Sequence, residues 1–163
     1  MSLVEDKAEQ LFKSVRSVYI ALAAYVNKVA QELGKEKAMK LLSDAFKEIG
    51  TIQGNNLKKQ TDKVNLNANE AYELIKAIPK SVGINFMITQ KDSNKVVARL
   101  DKCSIYESAK MVGIDPAEFC INSAIPYFKA VAQQLNLDLE YSRNKCKEHE
   151  KDFCEEQLVL KKH

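Results

Sequence analysis

Residues 139–160 read LEYSRNKCKEHEKDFCEEQLVL. This stretch predicts two strands, 139–147 and 153–160, joined by a charged turn at 148–152. A five-residue loop pairs Lys147 with Phe153 and sets Cys146 directly opposite Cys154. Opposed residues of an antiparallel pair have Cβ atoms about 4.5–5.5 Å apart on one face. Two thiols are therefore expected to be neighbours. The other two cysteines, Cys103 and Cys120, lie upstream at expected element ends. A strand at 95–101 runs into a helix near Cys103. Ser104 as N-cap and Glu107 three residues later spell a capping box there. Asp115, Pro116 and Glu118 spell a second one, with Pro at the first helical position and Cys120 one turn in.

A second hairpin precedes this region. Ile84, Phe86 and Ile88 alternate with Asn85, Met87 and Thr89, the period of a half-buried strand. Residues 91–95 form the turn, with Asn94 expected in the left-handed conformation. Pairing Lys91 with Lys95 makes Phe86 face Leu100 and Ile88 face Ala98. Between the hairpins, helices are expected at 116–121 and 123–135. Tyr127, Phe128, Val131 and Leu135 form the apolar face of the latter. Two hairpins separated by helices predict an α+β fold, one antiparallel sheet of about four strands packed against helices.

The N-terminal part reads as a helical hairpin. Val4, Ala8, Leu11, Val15, Val18, Leu22, Val26, Val29 and Leu33 fall three or four apart, one stripe on one helix. Gly34 stops it. A second helix follows from Lys35 to about Gln60, and the short link predicts antiparallel packing. Gly50 and Gly54 share a face of it. They mark either close helix packing or an approach by a ligand. Gln53, Asn55, Asn56 and Gln60 either line a pocket mouth or solvate a helix end. A shorter helix is expected at 68–77, capped by Asn67 with Glu70 and ended by Pro79. The chain reads as one domain, 1–163, with a helical hairpin at 1–62 and a hairpin-helix-helix-hairpin unit at 84–160.

Composition narrows the function classes. The chain has 163 residues, 45% hydrophobic and 29% charged, with a net charge of +3 from 25 basic and 22 acidic residues. Both signs are interspersed, so nucleic acid is not expected as a partner. The apolar run 18–26 is too short to span a bilayer. With no secretory pattern at the N-terminus, a reducing, cytoplasmic setting is expected, with free thiols or metal ligands instead of disulfides. Phosphate loops and Ser-His-Asp sets are absent, and the only histidines are His149 and His163. His149, among Glu148, Glu150 and Lys151, reads as a solvated turn residue.

That leaves the cysteines. No CxxC pair occurs, so the usual structural-zinc spacing is missing. Cys103, Cys120, Cys146 and Cys154 are either small core hydrophobes or a cluster with metal, redox or nucleophilic chemistry. A metal held by all four is one form of the cluster, with zinc as the candidate cofactor. An apolar pocket is expected between the sheet and the helix at 123–135, edged by Tyr106, Tyr127 and Phe128. The first helix, about 45 Å long at the standard rise, exceeds what a small domain covers. A homodimer through the N-terminal helices is therefore expected.

The segment Lys102-Cys103-Ser104-Ile105-Tyr106-Glu107-Ser108-Ala109-Lys110 resembles the CPxYEAAK segment of the L-2-amino-thiazoline-4-carboxylic acid hydrolase-like family. Phe119-Cys120, Asn136-Leu137-Asp138-Leu139 and Asp152-Phe153-Cys154-Glu155 resemble its FC, LNPxL and DxCxF segments. Ser104, Leu137 and Glu155-Glu156 depart from the family's proline, proline and aromatic residue. The terminal hairpin is also similar to the end of the 4-vinyl reductase domain, a small-molecule-binding module. The resemblance implies either a small-molecule binder or a hydrolase adding water across a C=N bond of a small cyclic amidine. Cys103, Cys146 or Cys154 would then be the nucleophile. The alternative is a non-enzymatic ligand sensor or scaffold with structural cysteines, either metal-bound or metal-free.

Overall fold

Both hairpins form, and the second strand of each meets the other. The computed structural model describes residues 3–161, with side chains from Lys7 onward. In chain order the elements are α1 (Leu3–Leu33), α2 (Lys35–Lys58), α3 (Ala68–Ile75), α4 (Ala77–Ser81), β1 (Phe86–Lys91), β2 (Lys95–Leu100), α5 (Ser104–Val112), α6 (Pro116–Ile121), α7 (Ala124–Leu135), β3 (Leu139–Lys145) and β4 (Cys154–Leu160). The strands make one antiparallel sheet in the order β1-β2-β4-β3. The fold is α+β, as the two hairpins predict. No helix among the described residues is long and apolar enough to cross a membrane.

The registers follow the expected pattern until a bulge intervenes. Phe86 faces Leu100 and Ile88 faces Ala98, but a shift at Thr89 then pairs Lys91 with Val96 instead of Lys95. The turn is closed by the Asp92 carboxylate, which accepts from the N–H groups of Asn94 and Lys95. A side chain so placed removes the need for a left-handed residue. Asn94 is not one, since no non-glycine φ is positive among the described residues. In the second hairpin Leu139 to Arg143 pair with Leu160 to Glu156, and a shift at Asn144 brings Lys145 opposite Glu155.

Helix boundaries depart from expectation in three places. Cys103, not Ser104, is the N-cap of α5, and Glu107 reaches Arg16 of α1 at 2.7 Å instead of back to the cap. Asp115 caps α6 as expected, while Glu118 pairs with Lys35 at 2.7 Å. The helix at 68–77 breaks at Lys76, and Pro79 sits inside α4, whose first turn tolerates proline. Asn67 and Glu70 do form a capping box.

The helical hairpin opens instead of closing along its length. α1 packs chiefly on α5, and α2 packs chiefly on α7. Ser108 Oγ of α5 donates to the Arg16 carbonyl, and Gly83, at φ +72°, lies against the Ala8 and Phe12 backbone. Gly50 and Gly54 let α2 settle on α7: a Cβ on Gly50 would stand 2.4 Å from the Tyr127 carbonyl oxygen. This is close packing, the structural reading of that glycine pair. The buried face of α1 therefore differs from the expected stripe. Val26 is buried as expected, but so are Phe12 and Ala23 beside the stripe, whereas Leu11, Val18 and Leu33 on it are exposed. The side chain of Val4 lies outside the described residues.

Two apolar clusters result. One joins the sheet to α3, α7 and the end of α2; the other joins α1, α2, α5 and α6. Phe128 touches both.

Candidate functional site: a cavity with a charged floor

Where α1 and α2 diverge, a cavity of about 610 Å³ runs down to the sheet. Its walls are mainly apolar: Leu22 from α1, Phe46 and Leu57 from α2, Ile78 from α4, Ile105 from α5 and Phe128 from α7. Exposed Val18, Ile49, Gln60 and Ser81 stand at the mouth. Gln53 and Gln60 line it, as one of the two expectations held, while Asn55 and Asn56 do not.

The floor is polar and arises from strand alternation. Arg143 of β3 pairs in register with Glu156 of β4, which in turn faces Ala98 of β2. All point to the side of the sheet carrying buried Tyr141, Leu158 and Val96. The Arg143 and Glu156 side chains are 4% and 3% exposed, and Arg143 Nη2 lies 3.6 Å from Glu156 Oε2. Tyr72 and Tyr141 donate to the two Glu156 oxygens at 3.0 and 2.7 Å, and Arg143 Nη2 donates to the Tyr141 oxygen at 3.0 Å. Burial, with the Glu156 carboxylate beside them, pushes both phenols well above their ordinary pKa, so they remain donors. Two groups are left over. Arg143 Nε and Ser104 Oγ are buried without a hydrogen-bond partner among the described residues. Ser104, which does not cap α5, is fully buried in the wall of the cavity.

The cysteines divide between two spaces. All four, with Tyr106, border a small hollow of about 10 Å³, but only Cys103 and Cys120 also line the large cavity. Cys146 and Cys154 lie one position beyond the last ladder pair, Lys145 with Glu155. Tyr106 donates to the Glu148 carbonyl and sits on the hollow, not at the cavity edge where it was expected. Tyr127 and Phe128 do line the cavity. Cys103 is held above the usual thiol range by burial. Cys120 and Cys146 hydrogen-bond each other. That bond raises Cys120 and lowers Cys146 to about 6, with Arg143 adding to the lowering. The thiolate-prone sulfur therefore faces the hollow. Among the described residues no set of three or more His, Cys, Asp or Glu side chains is arranged to hold a metal. The expectation of a zinc held by the four thiols finds no support there. His149 is exposed in the turn, and His163 lies outside the described residues.

The thiol pair makes a direct prediction. At pH 7 iodoacetamide should alkylate Cys146 first, with a rate that rises through about pH 6 and levels above it. Cys120→Ala removes the donor and should move that midpoint up toward the ordinary thiol range. A Cys146 that reacts no faster than a free thiol at pH 7 would contradict the pairing.

The alternation of residues 139–143 and 154–160 would have revealed the floor, since Arg143 and Glu156 fall on the same faces as Tyr141 and Leu158. Tyr72 carried no signal, because nothing local ties α3 to β4.

The family model described as L-2-amino-thiazoline-4-carboxylic acid hydrolase matches residues 15–157. Among curated proteins, none matches the sequence. A solved structure of similar fold is the crystal structure of the phenol-responsive sensory domain of the transcription activator PoxR with phenol. The two share 14% identity with a TM-score of 0.61, over 87% of this chain and 74% of that one. At that identity the likeness is one of fold.

Proposed function

Because the chain belongs to the L-2-amino-thiazoline-4-carboxylic acid hydrolase family, we propose that it is a small-molecule-binding protein whose ligand occupies the cavity between α1, α2, α4 and the sheet. The observation that carries this is the cavity itself: about 610 Å³, apolar in its walls, with a few polar groups converging at its floor. Ligand sites of this size and character are usual for small organic molecules. The PoxR sensory domain, of the same fold, is described as phenol-responsive.

The arrangement favours binding over hydrolysis by a thiol. Cys103 and Cys120 reach the cavity, but both thiols are held protonated by their surroundings. Cys146, the sulfur with thiolate character, is turned to the hollow together with Cys154. A nucleophile must be both ionised and within reach of the substrate, and these cysteines divide the two properties.

Calorimetric titration with n-propylbenzene tests the reading. The protein should bind it, and Ala124→Phe, which fills the cavity from the start of α7, should abolish binding while leaving the protein folded. Absence of binding to the unaltered protein would contradict it.

The same reading includes a two-fold dimer. Leu11, Val18 and Tyr25 on α1 are 40%, 69% and 68% exposed and lie seven residues apart, the spacing of a helix–helix seam. Light scattering at micromolar concentration should give twice the chain mass. Val18→Glu with Tyr25→Glu should return it to one. A mass of one chain before substitution rules the dimer out.

A further inference from the structure

Two tyrosines in the cavity wall bear on what the ligand is, provided that the cavity is the ligand site. The chain has six tyrosines. Tyr72 and Tyr141 donate to Glu156, and Tyr106 donates to the Glu148 carbonyl. Tyr25 is exposed. Tyr19 and Tyr127 differ from these. Both are half-buried and line the cavity, yet neither hydroxyl has a hydrogen-bond partner among the described residues. Neither is sealed into the packing: the fully buried side-chain atoms without a partner are Asn69 Oδ1, Ser104 Oγ and Arg143 Nε. The two hydroxyls are therefore open to whatever fills the cavity.

Their electrostatics bring them together. Burial pushes Tyr19 up to about 12, and Cys103, Tyr127 and Cys120 add to the rise. Burial raises Tyr127 as well. Tyr127 acts on Tyr19 because the two phenols are close, one contributed by α1 and one by α7. Both stay protonated at neutral pH, so each donates one hydrogen bond and can accept others. A tyrosine with a buried ring normally finds a partner for its hydroxyl. Here that partner falls to the ligand.

Charge narrows the class. Arg143 and Glu156, which also line the cavity, are paired with each other, and their side chains are 4% and 3% exposed. Gln53, Gln60 and Ser81 stand at the mouth, where water competes for them. An ionic ligand would lose its hydration and find no free counter-charge.

We infer that Tyr19 and Tyr127 recognise the polar group of the ligand, and that the ligand is an uncharged, mainly apolar molecule carrying a hydroxyl or carbonyl oxygen. The apolar walls hold its body. The two phenols select, among bodies of one shape, the one that bears the oxygen.

Three probes separate the outcomes, each titrated calorimetrically into the full chain at pH 7. n-Propylbenzene and propiophenone share a shape and differ by one carbonyl, and 3-phenylpropionate adds a charge. The ketone is expected to bind about fivefold more tightly than the hydrocarbon, the scale of one neutral hydrogen bond. The acid is expected to bind more weakly than the ketone. Tyr19→Phe combined with Tyr127→Phe should bring the ratio of ketone to hydrocarbon affinity down to about one. These substitutions remove oxygens that no protein group uses, so the thermal midpoint should hold. Tyr72→Phe, which takes a donor from Glu156, should lower it. Equal affinity for ketone and hydrocarbon in the unaltered protein would overturn the inference and leave the cavity as a binding site. A ketone preference that survives the double substitution would overturn the assignment to these tyrosines, as would a double variant that melts as low as Tyr72→Phe. Tighter binding of the acid would overturn the neutrality of the ligand. Binding of none of the three would overturn both this inference and the cavity as the ligand site.

Discussion

Gly50→Ala is expected to destabilise the protein by about 3 kcal/mol, at the upper end of the usual cost of overpacking. The added Cβ would stand 2.4 Å from the Tyr127 carbonyl oxygen and 3.0 Å from Ala130 Cβ. A backbone carbonyl inside α7 cannot yield without moving the helix. The intrinsic gain of alanine over glycine in a helix, about 1 kcal/mol, is too small to offset this. The displaced helix also carries Tyr127 and Phe128, so the cavity should deform with the fold. Gly113 provides the contrast. Nothing lies within 4 Å of its Cβ position, but its φ is +79°. Gly113→Ala should therefore cost only about 1 kcal/mol of backbone strain. Thermal unfolding separates the two, and equal midpoints for the two variants would contradict the packing described.

Arg143→Met should cost about 3–5 kcal/mol, the usual penalty for stranding one member of a buried ion pair. The side chain is 4% exposed, and its removal leaves the Glu156 carboxylate without a counter-charge at the bottom of an apolar cavity. Adding Glu156→Gln removes that charge and keeps an acceptor for one of the two phenols, while its NH2 donates to the oxygen of the other. The double variant should regain more than half of the loss in urea denaturation. A loss equal to the sum of the two single changes would show that the two residues do not interact.

The sheet was legible in the sequence because alternation and turn residues are local signals. Phe86 with Leu100 and Ile88 with Ala98 follow from counting alone. The bulges at Thr89 and Asn144 left no such trace. The helix faces were harder to read. The expected stripe satisfies helical spacing throughout, yet only part of it, Val26 included, is buried, while Phe12 outside it is buried and Leu11, Val18 and Leu33 on it are exposed; packing against α5 makes that choice. The capping box at Ser104 failed for a related reason. Glu107 found a distant partner in Arg16, 91 residues away in sequence. Cys103 takes the cap position, and Ser104 becomes the first residue of α5. The cysteines drew attention through their number, yet the cavity is defined more by Arg143, Glu156 and Ser104, residue types too common to stand out singly.

Methyl resonances of isoleucine read the cavity directly. On titration with n-propylbenzene, Ile49, Ile78, Ile84 and Ile105, which line it, should shift together and saturate at one affinity. Ile52 and Ile121, exposed on other faces, should stay in place. Shifts confined to the exposed isoleucines, or none at saturating ligand, would contradict a ligand site between α1, α2 and the sheet.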